Sequence, residues 1–256
     1  MLALLREYGQ VMGALVLRDI KGRYFGNAWG YMISLGWPLT HIAVLMLISG
    51  VTRSMQPYGD SALLWFATGI VPFMAFNYTA RFITLGFLQN YPLLSFPIIK
   101  PLDIIFARVI VEVLSVGIVF FMVFVTLAYF SVDFTPVDPT RAFYALALCV
   151  FDGIGYGIIV ALLARLSLAW SVIGFLMLIV LWGISGIFFV PSSLPDILKD
   201  ILAFNPLMHS IAYYRSAYYD GYASDWLDVE YAITFGTIML FLGLGIERLV
   251  RVRMRQ

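Results

Sequence analysis

The stretch Ile104 to Phe130 reads IIFARVIVEVLSVGIVFFMVFVTLAYF, and its two charges, Arg108 and Glu112, both fall near its start. From Val113 onward no residue in it is charged. As a helix rising 1.5 Å per residue it covers about 40 Å, more than the roughly 30 Å hydrocarbon core of a bilayer. One such stretch already predicts an all-α chain embedded in a membrane.

Five further stretches flank it: Ile33 to Val51, Ala62 to Ala80, Ala142 to Ala164, Leu168 to Val190 and Tyr231 to Val250. The last is the weakest, because Glu247 and Arg248 shorten its apolar part. Composition agrees, with 62% hydrophobic and 12% charged residues. A soluble domain carries about twice that charge, which it needs to coat a water-facing surface. The net charge of +1 gives nucleic acid nothing to bind. The single cysteine, Cys149, excludes an intrachain disulfide and a cysteine metal cluster.

The first residues do not read as a signal peptide. Arg6, Glu7, Arg18 and Asp19 interrupt any apolar core that could lead to a cleavage site, so the segment is expected in the mature protein. Leu4, Leu5, Tyr8, Val11, Met12 and Leu15 recur at helical spacing, while Glu7, Ala14, Arg18 and Lys21 lie on another face. That pattern predicts a helix lying in the membrane interface within residues 1–30.

With both termini inside, twelve of the 16 basic residues fall on the cytoplasmic side, and only Arg53, Arg141, Lys199 and Arg215 face out. The bias follows from the resistance of basic side chains to translocation. Two connections are longer than a hairpin needs. Arg81 to Asp103 is inside and is broken by Pro92, Pro97 and Pro101. Residues 191–230 are outside and semi-apolar, with Leu194 to Phe204 and Pro206 to Tyr219 as two helices too short to span, parted at Asn205-Pro206. Irregular backbone at membrane depth is tolerated where protein covers it, so a re-entrant, gating hairpin between the fifth and sixth spans is expected. Residues 1–256 form a single transmembrane domain in this reading.

Several motifs bear on chemistry. No GxxxxGK is followed by Ser or Thr; Lys21 and Lys100 precede Gly22 and Pro101, so ATP and its magnesium, if used, belong to another chain. This chain is expected to bind neither cofactor nor metal. Gly153, Gly155 and Gly157 lie inside an apolar helix with no strand before them, which favours close helix packing over a dinucleotide loop. Gly22, Gly26 and Gly30 repeat the small-residue spacing. Glu112 stands four residues after Arg108, predicting an ion pair within one helix, with a transport role as the alternative. Asp152 has no partner nearby in sequence and reads equally as a structural hydrogen-bonding group or as the lining of a polar path. Gly183-Ile184-Ser185-Gly186 resembles the nucleophile motif of rhomboid-type intramembrane proteases. A serine nucleophile needs a base within reach. His41 lies about 12 Å and Ser185 about 25 Å from the cytoplasmic ends of their spans, and His209 reaches it only through re-entry. Tyr213, Tyr214, Tyr218, Tyr219, Tyr222 and Trp226 crowd around Arg215, either as an interfacial belt or as a surface for sugar rings.

The order of parts, together with local motifs, resembles the permease subunits of ABC-2 type transporters, and within them the exporters of capsular polysaccharide and of lipopolysaccharide O-antigen. The motifs are Leu17-Arg18-Asp19-Ile20-Lys21-Gly22-Arg23-Tyr24, then Gly30-Tyr31 and Trp37-Pro38; Phe96-Pro97-Ile98-Ile99-Lys100-Pro101-Leu102-Asp103 with Ala107-Arg108 and Glu112; and Asn205-Pro206-Leu207-Met208-His209 with Arg215, Gly221 and Tyr222. The last two lean towards the capsule type. The Tyr213-Tyr214 pair departs from the family pattern.

The resemblance implies a homodimer in a Gram-negative inner membrane, bound to two copies of a P-loop ATP-binding subunit. It would work alongside periplasmic and outer-membrane export proteins, moving a lipid-linked polysaccharide. It further implies that Tyr91, Pro97, Lys100, Pro101 and Asp103 couple to the ATPase, and that Arg18, Lys21 and Arg23 face lipid heads or a sugar-lipid phosphate. Asn205, His209, Tyr214, Arg215 and Tyr218 would form the external gate. Arg215 is expected on anionic sugars or on an acid such as Asp220. Rival readings are a gradient-driven secondary transporter, for which only Glu112 and Asp152 stand out, and a membrane enzyme, for which no acid, base and nucleophile cluster can be assembled.

Overall fold

A computed structural model describes residues 2–22, 36, 40–41, 43–44, 58–96, 98–223 and 225–253. Among them every regular element is a helix. In chain order these are α1 (Leu2–Ile20), α2 (Ala62–Asn90), a 3-10 turn (Tyr91–Ser95), α3 (Pro101–Tyr129), α4 (Pro139–Leu166), α5 (Ala169–Ile184), a 3-10 turn (Pro191–Ser193), α6 (Asp196–Ala203), α7 (Pro206–Arg215) and α8 (Val229–Arg253). Most of the expected first span, Ile33 to Val51, lies outside the described residues. Arg23, Gly26, Gly30, Trp37, Pro38, Arg53 and Pro97 lie outside them too.

Three of the helices start where a polar side chain satisfies a free N–H group. Ser61 accepts from the Leu64 N–H at 3.3 Å, Asp138 from that of Arg141 at 2.9 Å, and Asn205 from that of Leu207 at 3.1 Å. Among the described residues, four helical segments are long and apolar enough to cross a bilayer: Ala62–Ser95, Pro101–Tyr129, Pro139–Leu166 and Val229–Arg248. In α3 the buried stripe Arg108, Val111, Glu112, Ser115, Val119, Val123 and Leu127 follows helical spacing. Its opposite face, with Phe106, Ile110, Leu114, Phe121 and Val125, is exposed and equally apolar. A surface that needs no charge has lipid as its solvent.

Two spans depart from their expected limits. The fifth, expected over Leu168 to Val190, is helical for only 16 residues, about 24 Å. Gly186 stops it, because its φ of +76° is the left-handed conformation that ends helices. The second, expected to close at Ala80, continues to Asn90. Arg81 does not end it, since its guanidinium lies over the Phe175 ring at 5.5 Å while its stem stays helical. Pro92 closes the segment instead, opening the 3-10 turn.

The long helices alternate in direction. α4 is the hub, packed on α2, α5, α7 and α8; α3 packs on α2, and α1 on α3. Hydrophobicity cannot drive helix association inside lipid, so close contact has to. Gly153 and Gly157 provide it, as expected of the glycine run: a Cβ on them would stand 2.7 Å from the Phe76 carbonyl oxygen and 2.8 Å from that of Ala80. Gly155 does the same towards α8, where a Cβ would meet Met239 and Leu240. Gly22, by contrast, has no described residue close to where its Cβ would stand.

Candidate functional site

The residues singled out from sequence gather at opposite ends of the bundle. One end carries α6, α7 and the loop to α8, with α7 packed against α2 and α4. Asn205 caps α7 with its amide oxygen and donates its N–H to Ser185 Oγ at 2.9 Å. Ser185 in turn donates to the Leu181 carbonyl at 2.6 Å. The serine of the protease-like motif is therefore a buried structural link whose hydroxyl proton is committed to backbone. His209 has Nε2 2.8 Å from the Ala203 carbonyl, and its Nδ1 accepts the Asp228 N–H at 3.1 Å. Those partners assign a neutral ring with the proton on Nε2, and the ring also packs on Trp226 and Tyr231. Tyr214 and Tyr218 share a hydrogen bond of 3.0 Å, and Tyr218 stacks on Phe134.

Arg215 lies at the centre of this end and is 1% exposed. Its Nη1 donates to the Gly186 carbonyl and, at 3.4 Å, to the Tyr222 hydroxyl. Its Nη2 donates to the carbonyls of Ile187 at 2.8 Å and Trp65 at 3.4 Å. The guanidinium carbon stands 3.5 Å from the centre of the Trp65 ring, a cation–π contact strengthened by burial. Gly69 makes the room, since a Cβ there would come 2.5 Å from Nη2. Of the expected partners, Asp220 is not the one found, and Arg215 is held by backbone carbonyls instead. A guanidinium fits here because the helix-ending Gly186 turns two carbonyls towards it, and planar donors match them. Around it Tyr58, Tyr219 and Tyr222 close an aromatic cage with Trp65. Burial pushes the Tyr219 phenol up to about 12, so the ring stays neutral beside the cation.

Asp152 joins this end from α4. Its Oδ2 accepts from Ser210 Oγ of α7 at 2.8 Å, and the residue borders a cavity of about 200 Å³ walled mostly by apolar groups such as Phe76, Met177 and Met239. Of the two sequence readings, the hydrogen-bonding one is visible.

The other end carries α1, the turn Tyr91–Ser95 and the start of α3. Tyr91, Phe96 and Ile98 are exposed; Arg165 of α4 lies over the Tyr91 ring at 5.2 Å. Lys100 is exposed and Pro101 occupies the first position of α3. Asp103, expected to offer a polar contact to a partner, is buried. Its carboxylate accepts the Lys100 N–H at 2.8 Å, so it caps the helix. Arg18 and Lys21 are exposed.

The predicted pair in α3 is present, with Arg108 Nε 3.1 Å from Glu112 Oε1. The Nε–H is not aimed along that line, which makes it a charge contact more than a hydrogen bond. Sequence reading missed the rest of the cluster: Arg108 Nη1 donates to Asp19 Oδ2 at 3.2 Å, and Asn90 Nδ2 donates to Asp19 Oδ1 at 3.2 Å. Phe82 lies under the guanidinium at 5.3 Å. A polar cavity of about 350 Å³ adjoins them, lined by Arg18, Asp19, Gln89, Asn90 and Arg108. The signal for Asp19 was present, one acid among the bases of residues 18–23, but its partners lie 71 and 89 residues away. Among the described residues no group of His, Cys, Asp and Glu is arranged to hold a metal ion.

Residues 10–219 match the family model described as ABC-2 type transporter. The polysialic acid transport protein KpsM of Escherichia coli is 27% identical, over 92% of this chain and 91% of its own length. The capsule polysaccharide export inner-membrane protein CtrC of Neisseria meningitidis serogroup A is 24% identical over 93% and 89%. The corresponding protein BexB of Haemophilus influenzae is 23% identical over 92% and 89%.

Proposed function

The chain belongs to the ABC-2 type transporter family, and from that premise we propose that it is the membrane permease subunit of an ATP-driven exporter passing capsular polysaccharide across a bacterial inner membrane. Relatives over nine-tenths of its length carry capsule-export names. The absence of a P-loop in the sequence assigns hydrolysis, with ATP and magnesium, to a separate subunit.

In this reading the chain crosses the membrane six times with both termini in the cytoplasm. Ile33 to Val51 is the first crossing and the short α5 the fifth. α6 and α7 then form a re-entrant hairpin on the outer face. Two copies associate, because six helices from one chain enclose too little space for a hydrated sugar chain and a closed dimer is the simplest symmetric assembly. Each copy receives one ATPase at Tyr91 to Asp103.

The observation that carries the coupling role is the exposed apolar set Tyr91, Phe96 and Ile98 beside the charged Lys100, on a segment whose two ends are rigid helices. A partner that fills such a surface gains both apolar burial and register. Arg18 and Lys21 border the entrance and favour anionic lipid heads or a sugar-lipid phosphate. At the outer end, Asn205, His209, Tyr214, Arg215 and Tyr218 act as the internal frame of the gate. Sugar contacts then fall to side chains outside this frame.

The test is to tag the chain in its native host, extract it in mild detergent, and assay ATP hydrolysis while identifying what accompanies it. A stoichiometric P-loop ATPase whose removal abolishes hydrolysis is the expected result, with capsule retained inside cells that lack this chain. A preparation with no ATPase, and export that collapses with the proton gradient alone, would overturn the reading in favour of a secondary transporter.

A further inference from the structure

The segment between α2 and α3 has no core of its own: the turn Tyr91–Ser95 buries none of its residues. Leu93, Leu94 and Ile99 lean on the apolar cluster of Ile83, Phe87 and Ile104, and polar contacts hold its two roots. Asn90, the last residue of α2, donates to Asp19 Oδ1, and Arg108, two turns into α3, donates to Asp19 Oδ2, each at 3.2 Å. One carboxylate in the last turn of α1 thus spends one oxygen on each root.

The surroundings keep it there. Asp19 continues the packed stripe Val11, Leu15 of α1. Arg108 is aimed by Glu112 from below and by the Phe82 ring from the side. Gly86 leaves it room, since a Cβ there would stand 2.9 Å from Arg108 Cδ. The side chains of Asp19, Arg108 and Glu112 are 9%, 7% and 0% exposed, so water competes weakly for these contacts.

We infer that Asp19 is a positioning residue of the transport cycle. It fastens the interfacial helix to both roots of the coupling segment, so that α1, with the exposed Arg18 and Lys21 near its end, moves with that segment as one body. Among the described residues, the Asp19 carboxylate makes the side-chain hydrogen bonds that tie α1 to α2 and α3, and without it those ties are lost. A push on the exposed turn then bends the roots without displacing the helix at the entrance. This rests on the reading of Tyr91 to Asp103 as the ATPase contact.

The experiment uses the whole complex of permease and ATPase. Asp19→Ala is expected to lower surface capsule about tenfold while the complex still assembles and hydrolyses ATP at close to the wild-type rate. Asp19→Glu, which keeps the charge, is expected to restore part of the export, and Asp19→Asn less. In a Cys149→Ala background, spin labels at Gln10→Cys and Ser95→Cys report the distance from α1 to the turn. That distance is expected to stay constant between nucleotide-free and nucleotide-bound states, and to broaden or shift with Asp19→Ala. A distance that changes with nucleotide in the otherwise unaltered chain overturns the inference even if the alanine variant fails to insert. So does normal export by Asp19→Ala. A complex without ATPase activity in any form overturns the functional reading first, and is told apart by the wild-type control.

Discussion

Arg215 and Arg108 stand at opposite ends of the bundle, 1% and 6% exposed, and their partners are of different kinds. Arg215 gives its protons to the backbone carbonyls of Gly186, Ile187 and Trp65 and lies on an indole face. Arg108 stands between two carboxylates, Asp19 and Glu112. A guanidinium held by backbone fixes a shape, because its acceptors cannot rotate away or be titrated. One held by side chains fixes a relation between helices, and a single substitution can undo it. The outer end is built as a frame and the α1 end as a joint.

The sharpest way to break this contrast is at Arg108. Arg108→Met leaves Glu112 buried without its cation and is expected to cost about 3–5 kcal/mol of stability. The double variant Arg108→Met with Glu112→Leu is expected to regain most of that, since apolar replacements of a buried pair are often neutral. Thermal unfolding in detergent reads both. Export is expected to stay low in the double variant, because Asp19 has still lost its link to α3. Recovery of stability and export together would show that the pair serves packing alone.

Arg215 admits no such rescue. Arg215→Met strands carbonyls that no second substitution can remove, at a cost on the order of 3 kcal/mol, and limited proteolysis is expected to cut the loop between α7 and α8 first. Gly69→Val reproduces the defect in part by driving a side chain into the same guanidinium. If Arg215→Met unfolds with the wild-type profile and only binding of anionic sugar is lost, the frame is refuted and the expectation formed from sequence returns.

These two arginines also mark what the sequence could reveal. Glu112 is found from Arg108 by helix arithmetic, because four residues are one turn. The packing of Gly153 and Gly157 and the pause at Asn205-Pro206 are local in the same sense. Asp19 and Asn90 are not: their contact with Arg108 depends on how α1 crosses α3, and no periodicity encodes a crossing. The short α5 was hidden because Gly186, Phe188, Phe189 and Val190 extend an apolar run past the point where one backbone torsion ends the helix. Asp103 was misjudged for the opposite reason. An acid three residues into a helix is a cap by its position, yet beside the exposed Lys100 it reads as a docking charge.

That last confusion gives the smallest and most selective test. Asp103 and Lys100 are three residues apart, and only one of them faces outward. Asp103→Ala removes an acceptor from the start of α3 and is expected to cost about 1 kcal/mol, lowering export in proportion to the amount of folded complex. Lys100→Ala leaves the cap intact, because the Lys100 N–H that Asp103 accepts is backbone. Its effect on unfolding is expected within about 0.5 kcal/mol. Stimulated ATPase activity and export should nonetheless fall if its ammonium meets the ATPase, with the loss deepening as salt screens the remaining surface charges. Lys100→Ala that hydrolyses and exports normally across a salt series would move the coupling contact onto Tyr91, Phe96 and Ile98, with the joint at Asp19 behind them.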